Sequence, residues 1–181
     1  MRKNLSPALA AMFALTVAAC NGATAPVDDN YTALPADQVA LGVEHITTDN
    51  GVRRSTLKAD TALLFNDSAV AKLKVVHLEI YNDNGTHQAT LTSEAGDLNR
   101  NTNKMVARGN VVLVVHGTDG RTVWTEELHY DPSQRRIWSD VHTRSRDARG
   151  ADLTGDGFTS DDRFTNFRIQ GLAGTGLRFE F

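Results

Sequence analysis

The sequence has a single cysteine, Cys20, in 181 residues, so no disulfide can close within the chain. It also has no basic run. The nearest grouping, Arg135-Arg136 with Arg144, Arg146 and Arg149, reads as a solvated strand face in a chain of net charge −3. Nucleic-acid binding needs clustered Lys and Arg against phosphate, so no nucleic-acid partner is expected. Long apolar runs are missing too. Ala8 to Ala19 is apolar for twelve residues, whereas a membrane-spanning helix takes about 20. After residue 38 no window carries a helical stripe, and Asp37 to Glu44 could manage one turn at most.

Reactive constellations are equally scarce. Six histidines (His45, His77, His87, His116, His129 and His142) show no spacing of a zinc helix or finger. There is no Gly-x-Ser-x-Gly elbow. Asp152-Leu-Thr154-Gly-Asp156-Gly157 imitates the opening of a calcium loop, but Arg163 stands at position twelve, where a glutamate closes the cage. No metal, cofactor or catalytic residue is therefore expected, and the chain does not read as an enzyme.

What is present begins at the N-terminus. Arg2 and Lys3 precede the apolar run, which ends on Val17-Ala18-Ala19-Cys20. That ending resembles the lipobox of bacterial lipoproteins. The resemblance implies a signal peptide over 1–19, cleavage before Cys20, and acyl chains on that residue. Each buried methylene would add about 0.8 kcal/mol to membrane attachment. Loss of 1–19 leaves 17 basic against 22 acidic side chains, a net of −5. Residues 20–38, rich in Gly, Ala, Thr, Pro and Asp, read as a polar tether.

Residues 39–181 form the body, and it repeats. Leu57-Lys-Ala59-Asp60-Thr-Ala62-Leu-Leu64, Leu91-Thr-Ser93-Glu94-Ala-Gly96-Asp-Leu98, Val123-Trp-Thr125-Glu126-Glu-Leu128-His-Tyr130 and Leu153-Thr-Gly155-Asp156-Gly-Phe158-Thr-Ser160 share one pattern. An aliphatic residue is followed two places on by a short residue, then by an acid, then by a nonpolar residue two places further. A plain strand alternates with period two. The extra step at the acid is what a β-bulge produces, with the acid at the bend and facing out. Between repeats, Val75 to Tyr81 ends at Asn82-Asp83-Asn84-Gly85, and Met105 to Val115 ends at Gly117-Thr-Asp119-Gly120, both hairpin signals. Ile137 to Thr143 reads as a further strand after Asp131-Pro132-Ser133. Many short strands and no helix predict an all-β fold.

Leu91-Thr-Ser-Glu-Ala, Met105-Val-Ala107-Arg-Gly109-Asn110-Val111, Asp119-Gly120 and Thr125-Glu-Glu-Leu128-His-Tyr130-Asp131 occur in that order within about 55–165. In order and spacing they resemble the periplasmic lipopolysaccharide-export bridge proteins, the OstA-like family that includes LptA and LptC. Leu64-Phe65, Leu78-Glu-Ile80-Tyr and Asp83-Asn-Gly85 ahead of them make the chain most similar to the C-type members. The resemblance implies antiparallel strands in a twisted, V-shaped or jellyroll-like open β-sandwich. It implies an interior that carries lipopolysaccharide acyl chains. It further implies partnership with an inner-membrane ATP-driven exporter, and strand pairing with another OstA-like bridge protein. The best-known C-type proteins hold the inner membrane with a transmembrane helix. Here a lipobox stands instead, and a lipid anchor serves either membrane.

An acyl chain needs an apolar, strand-lined slot. The candidates are Leu64, Leu78, Ile80, Leu91, Leu98, Val111, Leu113, Val123, Leu128, Tyr130, Ile137, Val141 and Phe158. The same residues could fill a dry core, in a scaffold lipoprotein that recruits envelope partners through its sheet edges. A carbohydrate-active jellyroll enzyme would instead need two carboxylates about 5 to 10 Å apart in a cleft. Val111 to Val115 is apolar on both faces, so its register is open. The closing Leu177-Arg-Phe179-Glu-Phe181 alternates as a one-face-buried strand does, and is expected to contribute to a docking edge.

Overall fold

Hydrophobic alternation of period two has to bury one strand face, and here it does so across one continuous antiparallel sheet. The computed structural model describes residues 36–117 and 120–172. The signal segment, Cys20, nearly all of the tether and the closing strand at 177–181 lie outside these residues, as does Asp119. The strands are β1 (Gln38–Asp49), β2 (Val52–Leu64), β3 (Val70–Tyr81), β4 (His87–Asn99), β5 (Met105–Val115), β6 (Arg121–Asp131), β7 (Arg136–Ser139), β8 (Thr143–Asp147), β9 (Asp152–Gly155), β10 (Gly157–Asp161) and β11 (Arg168–Gln170). β1 to β7 pair in sequence order, then β10 and β11. β8 pairs with the first half of β6 and with β9. The described residues contain no helix.

One transverse seam interrupts each ladder from β1–β2 to β5–β6. Asp60, Glu94 and Glu126 are unpaired on β2, β4 and β6, and all three are exposed, as the repeat predicts. Opposite them the odd strands carry left-handed residues. These are Gly42 (φ 60°) on β1, Val75 (φ 52°) on β3, and Gly109 and Asn110 (φ 75° and 45°) on β5. The sequence pattern places a bulge at each acid, and the structure corrects this. At the seam the register shifts by one only on either side of Gly109-Asn110, so the extra residue there belongs to β5. At Asp60 and Val75 the strands lose one rung without a shift. Gly109 suits its place because a side chain there would collide with Glu94, which also accepts a hydrogen bond from Asn110.

Ser93 and Thr125, the short residues of two repeats, have a second use, and Ser139 of β7 shares it. Ser93 Oγ donates to Ala95 O at 2.8 Å, Thr125 Oγ1 reaches Glu127 O at 3.3 Å, and Ser139 Oγ reaches Val141 O at 3.4 Å. Each hydroxyl bonds the carbonyl two residues on, across the residue at the bend.

The predicted strand over Ile137–Thr143 is corrected to two, β7 and β8, broken at Asp140-Val141-His142. The seam is the cause: β7 pairs with the far half of β6 and with β10, while β8 pairs with the near half of β6 and with β9. The fourth repeat splits likewise at Asp156, between β9 and β10. The seam thus divides the sheet into two leaves, and the leaves fold onto each other. His45 of β1 bonds Asn103 of the β4–β5 turn at 3.1 Å, and Gln88 of β4 donates to Arg163 O beyond β10 at 3.1 Å. The core lies between the leaves as one cluster that runs from Leu57 to Phe158.

Candidate functional site

Eleven of the thirteen candidate residues meet in that cluster: Leu78, Ile80, Leu91, Leu98, Val111, Leu113, Val123, Leu128, Tyr130, Ile137 and Phe158. Leu64 is half-buried and packs against it. Val141 is 38% exposed and stands outside, because it occupies the break between β7 and β8. The register of β5 is now assigned. Val111, Leu113 and Val115 face inward, while Val112 and Val114 face out and are half-buried. Sequence reasoning passed over Leu73, Val76 and Met105, which are as deeply buried. Their signal was the period-two step ahead of and behind the seam, masked by Val75, where the step breaks. Burial of each Leu, Ile, Val or Phe removes about 1.5–3 kcal/mol of apolar exposure, and this holds the leaves together.

Leu113, Val123, Ile137 and Phe158 are fully buried, at 0% exposure. The middle of the interior is therefore shut off from solvent. Among the described residues of the apolar cluster the one ionisable side chain is Tyr130, whose phenol is pushed up to about 12 by burial and by the negative charge of Asp162. That phenol is therefore neutral near neutral pH.

An ionic clasp ties the leaves at one margin. Asp83 in the β3–β4 turn accepts from Arg54 of β2, from Arg135 of the β6–β7 turn at 3.0 Å, and from Arg163 of the β10–β11 loop. Asp162 accepts from Arg135 at 3.1 and 3.0 Å and faces Arg54 at 3.6 Å. The Arg54 hydrogen bond, ahead of those from Arg163 and Arg135, holds the Asp83 carboxyl down at about 2. Arg135, read from sequence as part of a solvated strand face, is one of the ties. Arg136 and Arg144 do keep to the outer face, over the rings of Trp138 and Trp124 at 4.7 and 5.3 Å.

Other candidate chemistry resolves into structure. Asp152, first of the calcium-like stretch, accepts from Arg144 at 3.2 Å and from Arg146 at 3.1 and 2.6 Å. The rings of His87 and His116 lie 4.6 Å apart and share Thr90 Oγ1 at 3.1 and 3.2 Å. Among the described residues no three His, Cys, Asp or Glu side chains converge as metal ligands. At the free margin of the sheet, β1 pairs only with β2 among the described residues, and its Leu41 and Ile46 are 58% and 45% exposed.

Comparison with known proteins agrees with this architecture. The structure is similar to that of LptH from Pseudomonas aeruginosa, described as the LptA homologous periplasmic component of the lipopolysaccharide transport device. The TM-score is 0.52 at 16% identity, over 70% of this chain and 89% of that one. Such a likeness shows the shared fold: the expected jellyroll-like all-β architecture is present. No curated protein sequence matches. The family model for lipopolysaccharide-assembly, LptC-related proteins matches residues 8–171. With a match across nearly the whole sequence, on a sheet folded like that of a lipopolysaccharide-transport component, the chain belongs to the LptC-related lipopolysaccharide-assembly family.

Proposed function

We propose that the body is a periplasmic, non-catalytic carrier that takes lipopolysaccharide acyl chains between its two leaves and relays them from an inner-membrane ATP-driven exporter towards the outer membrane. The observation that carries this reading is the interior itself. It is a continuous apolar cluster that runs from β2 to β10, in which the phenol of Tyr130 is the one ionisable group among the described residues, inside a member of a lipopolysaccharide-assembly family. Because the chamber is filled, loading requires the leaves to part, and the clasp around Asp83 and Asp162 is the margin where they would separate. The edge of β1, which has no strand beside it among the described residues, is suited to strand addition by an exporter subunit or by another OstA-like bridge protein. Cys20, once acylated, would hold the body to a membrane, with residues 20–38 as its tether.

The same filled interior favours a second reading, a scaffold lipoprotein that recruits envelope partners through its sheet edges and never opens. Binding of lipopolysaccharide to the purified full chain in detergent separates the two. A carrier is expected to bind lipopolysaccharide and to be competed by isolated lipid A, but not by the deacylated polysaccharide. Absence of binding, or competition by the deacylated form, supports the scaffold and rejects the carrier.

A further inference from the structure

A recess of about 350 Å³ opens on the outer face of the sheet, where the seam crosses β5 and β6 and where β8 begins. Its apolar wall is Trp124 of β6 with Val112 beside it on β5, a cross-strand pair whose side chains are half-buried. Val112 faces away from the core, so the recess lies outside the leaves. Asn110, Glu126, His142 and Arg144 stand around the wall.

The two tryptophans of the chain are placed differently. Trp138 is occupied by its neighbours: His129 stacks on it at 4.9 Å, Arg136 lies over it at 4.7 Å, and its indole N–H donates to Asp140 at 3.1 Å. Trp124 has the Arg144 guanidinium over its ring at 5.3 Å, and its N–H has no acceptor among the described residues. Arg144 also donates to Asp152 at 3.2 Å, which makes it a fixed polar wall rather than a free cation. Glu126 has no rung at the seam and is exposed. Its carboxylate has no hydrogen-bond or ion-pair partner among the described residues, and neither has the exposed imidazole of His142. Asn110 donates its amide N–H to Glu94, which leaves the amide oxygen as an acceptor.

An aromatic wall alone would suit any flat apolar group, and a carboxylate alone any cation. A pyranose ring asks for both kinds of contact at once. Its C–H face packs on an indole, and its rim of hydroxyls donates and accepts in the same plane. The recess sets a carboxylate, an amide oxygen, an imidazole, a guanidinium and an indole N–H around one aromatic wall. An anionic ligand would meet the unpartnered charge of Glu126. The volume lies near the lower end of the roughly 300–1,000 Å³ usual for ligand sites, which suits a short stretch of sugar. Hydrolysis of a glycosidic bond takes two flanking carboxylates, and Glu126 is the single one that lines the recess. The chemistry on offer is therefore binding.

We infer that this recess is a saccharide-binding subsite, with a pyranose ring packed against Trp124 and its hydroxyls bonded to Glu126. A saccharide held there lies outside the leaves and does not displace lipid from between them, so the site is independent of the carrier reading. Two sources carry such a ring, the polysaccharide of a lipopolysaccharide and an N-acetylated envelope glycan, and the probes separate them.

The full chain in detergent is titrated with deacylated polysaccharide from lipopolysaccharide and with an N-acetylglucosamine oligosaccharide, and tryptophan emission is read. Sorbitol, an open-chain polyol, controls for bulk solute. The parent, and Trp138→Phe with Trp124 as its one emitter, are expected to respond to at least one glycan at millimolar concentration. Trp124→Phe is expected to show no response. Glu126→Gln, combined with Trp138→Phe, should weaken the apparent affinity about tenfold, because a hydrogen bond to a charged group is lost. Thermal unfolding verifies that the exposed Glu126 is not needed for the fold. The glycan that responds identifies the source. No response to either glycan, an equal response to sorbitol, a response retained in Trp124→Phe, or an unaltered affinity in Glu126→Gln overturns the site and leaves the carrier reading untouched.

Discussion

Val75 sits at φ 52° with a β-branched side chain that is 57% exposed. Left-handed backbone costs such a residue on the order of 1–3 kcal/mol, and little burial offsets it. Val75→Asn should therefore stabilise the body by about 1 kcal/mol, read as a rise of a few degrees in the thermal midpoint. An unchanged or lower midpoint would show that Val75 makes a compensating contact. A second residue-scale effect lies at Asp131. Burial pushes its carboxyl up, but Lys104 at 2.8 Å, with Ser133 and the Gln134 N–H, outweighs that and holds it at about 2. This folded-state value lies below the unfolded value of roughly 3.9, so the contribution is complete at neutral pH and is lost as pH falls from about 4 through 2. Lys104→Met should lower the midpoint at pH 7, and its deficit relative to the parent should shrink as pH approaches 2. A deficit independent of pH would place the role of Lys104 elsewhere. Gly109 carried a signal at this scale that the reading of the repeat passed over in favour of the acids, since a glycine inside an apolar alternating run marks a bulge. Val75 carried none, since nothing in its side chain signals a positive φ.

At the scale of elements, the fork in the sheet depends on one buried hydroxyl. Thr125 Oγ1 meets Ser139 Oγ at 2.9 Å, His142 O at 3.0 Å and Thr143 Oγ1 at 3.4 Å, at the point where β6 exchanges β8 for β7 as its neighbour. Thr125→Val keeps the shape and removes these bonds. It should cost about 1–3 kcal/mol in urea unfolding, since buried partners are left unsatisfied. A cost within experimental error would mean that water or a neighbouring hydroxyl replaces it. The sequence pattern located β5 residue for residue and the turns at Asn82–Gly85 and Asp131–Ser133, because period-two alternation and turn chemistry are local signals. The split of Ile137–Thr143 was invisible, because pairing with two different neighbours is decided by residues far along the chain. β1 was also missed. As an edge strand it buries neither face fully, so Val39-Ala-Leu-Gly-Val shows no clean alternation.

For the whole molecule, the four-fold repeat carried the fold, since acids spaced 30 to 34 residues apart, three on β2, β4 and β6 and the fourth between β9 and β10, fall on one seam and divide the sheet into leaves. The interior list was legible for the same reason, and Val141 fell out of it because it lies on the seam rather than beside it. Whether the chamber holds lipid depends on the leaves opening, which no single residue encodes. Adjacent residues of β5 report on this directly, because Leu113 faces inward at 0% exposure while Val112 faces outward. A photoreactive diazirine analogue of leucine at either position is close to the native size and should leave the fold intact. With lipopolysaccharide present, irradiation is expected to give a lipid adduct at position 113 and none at 112. Adducts at 112 alone, equal adducts at both, or no adduct at either position would contradict carriage between the leaves.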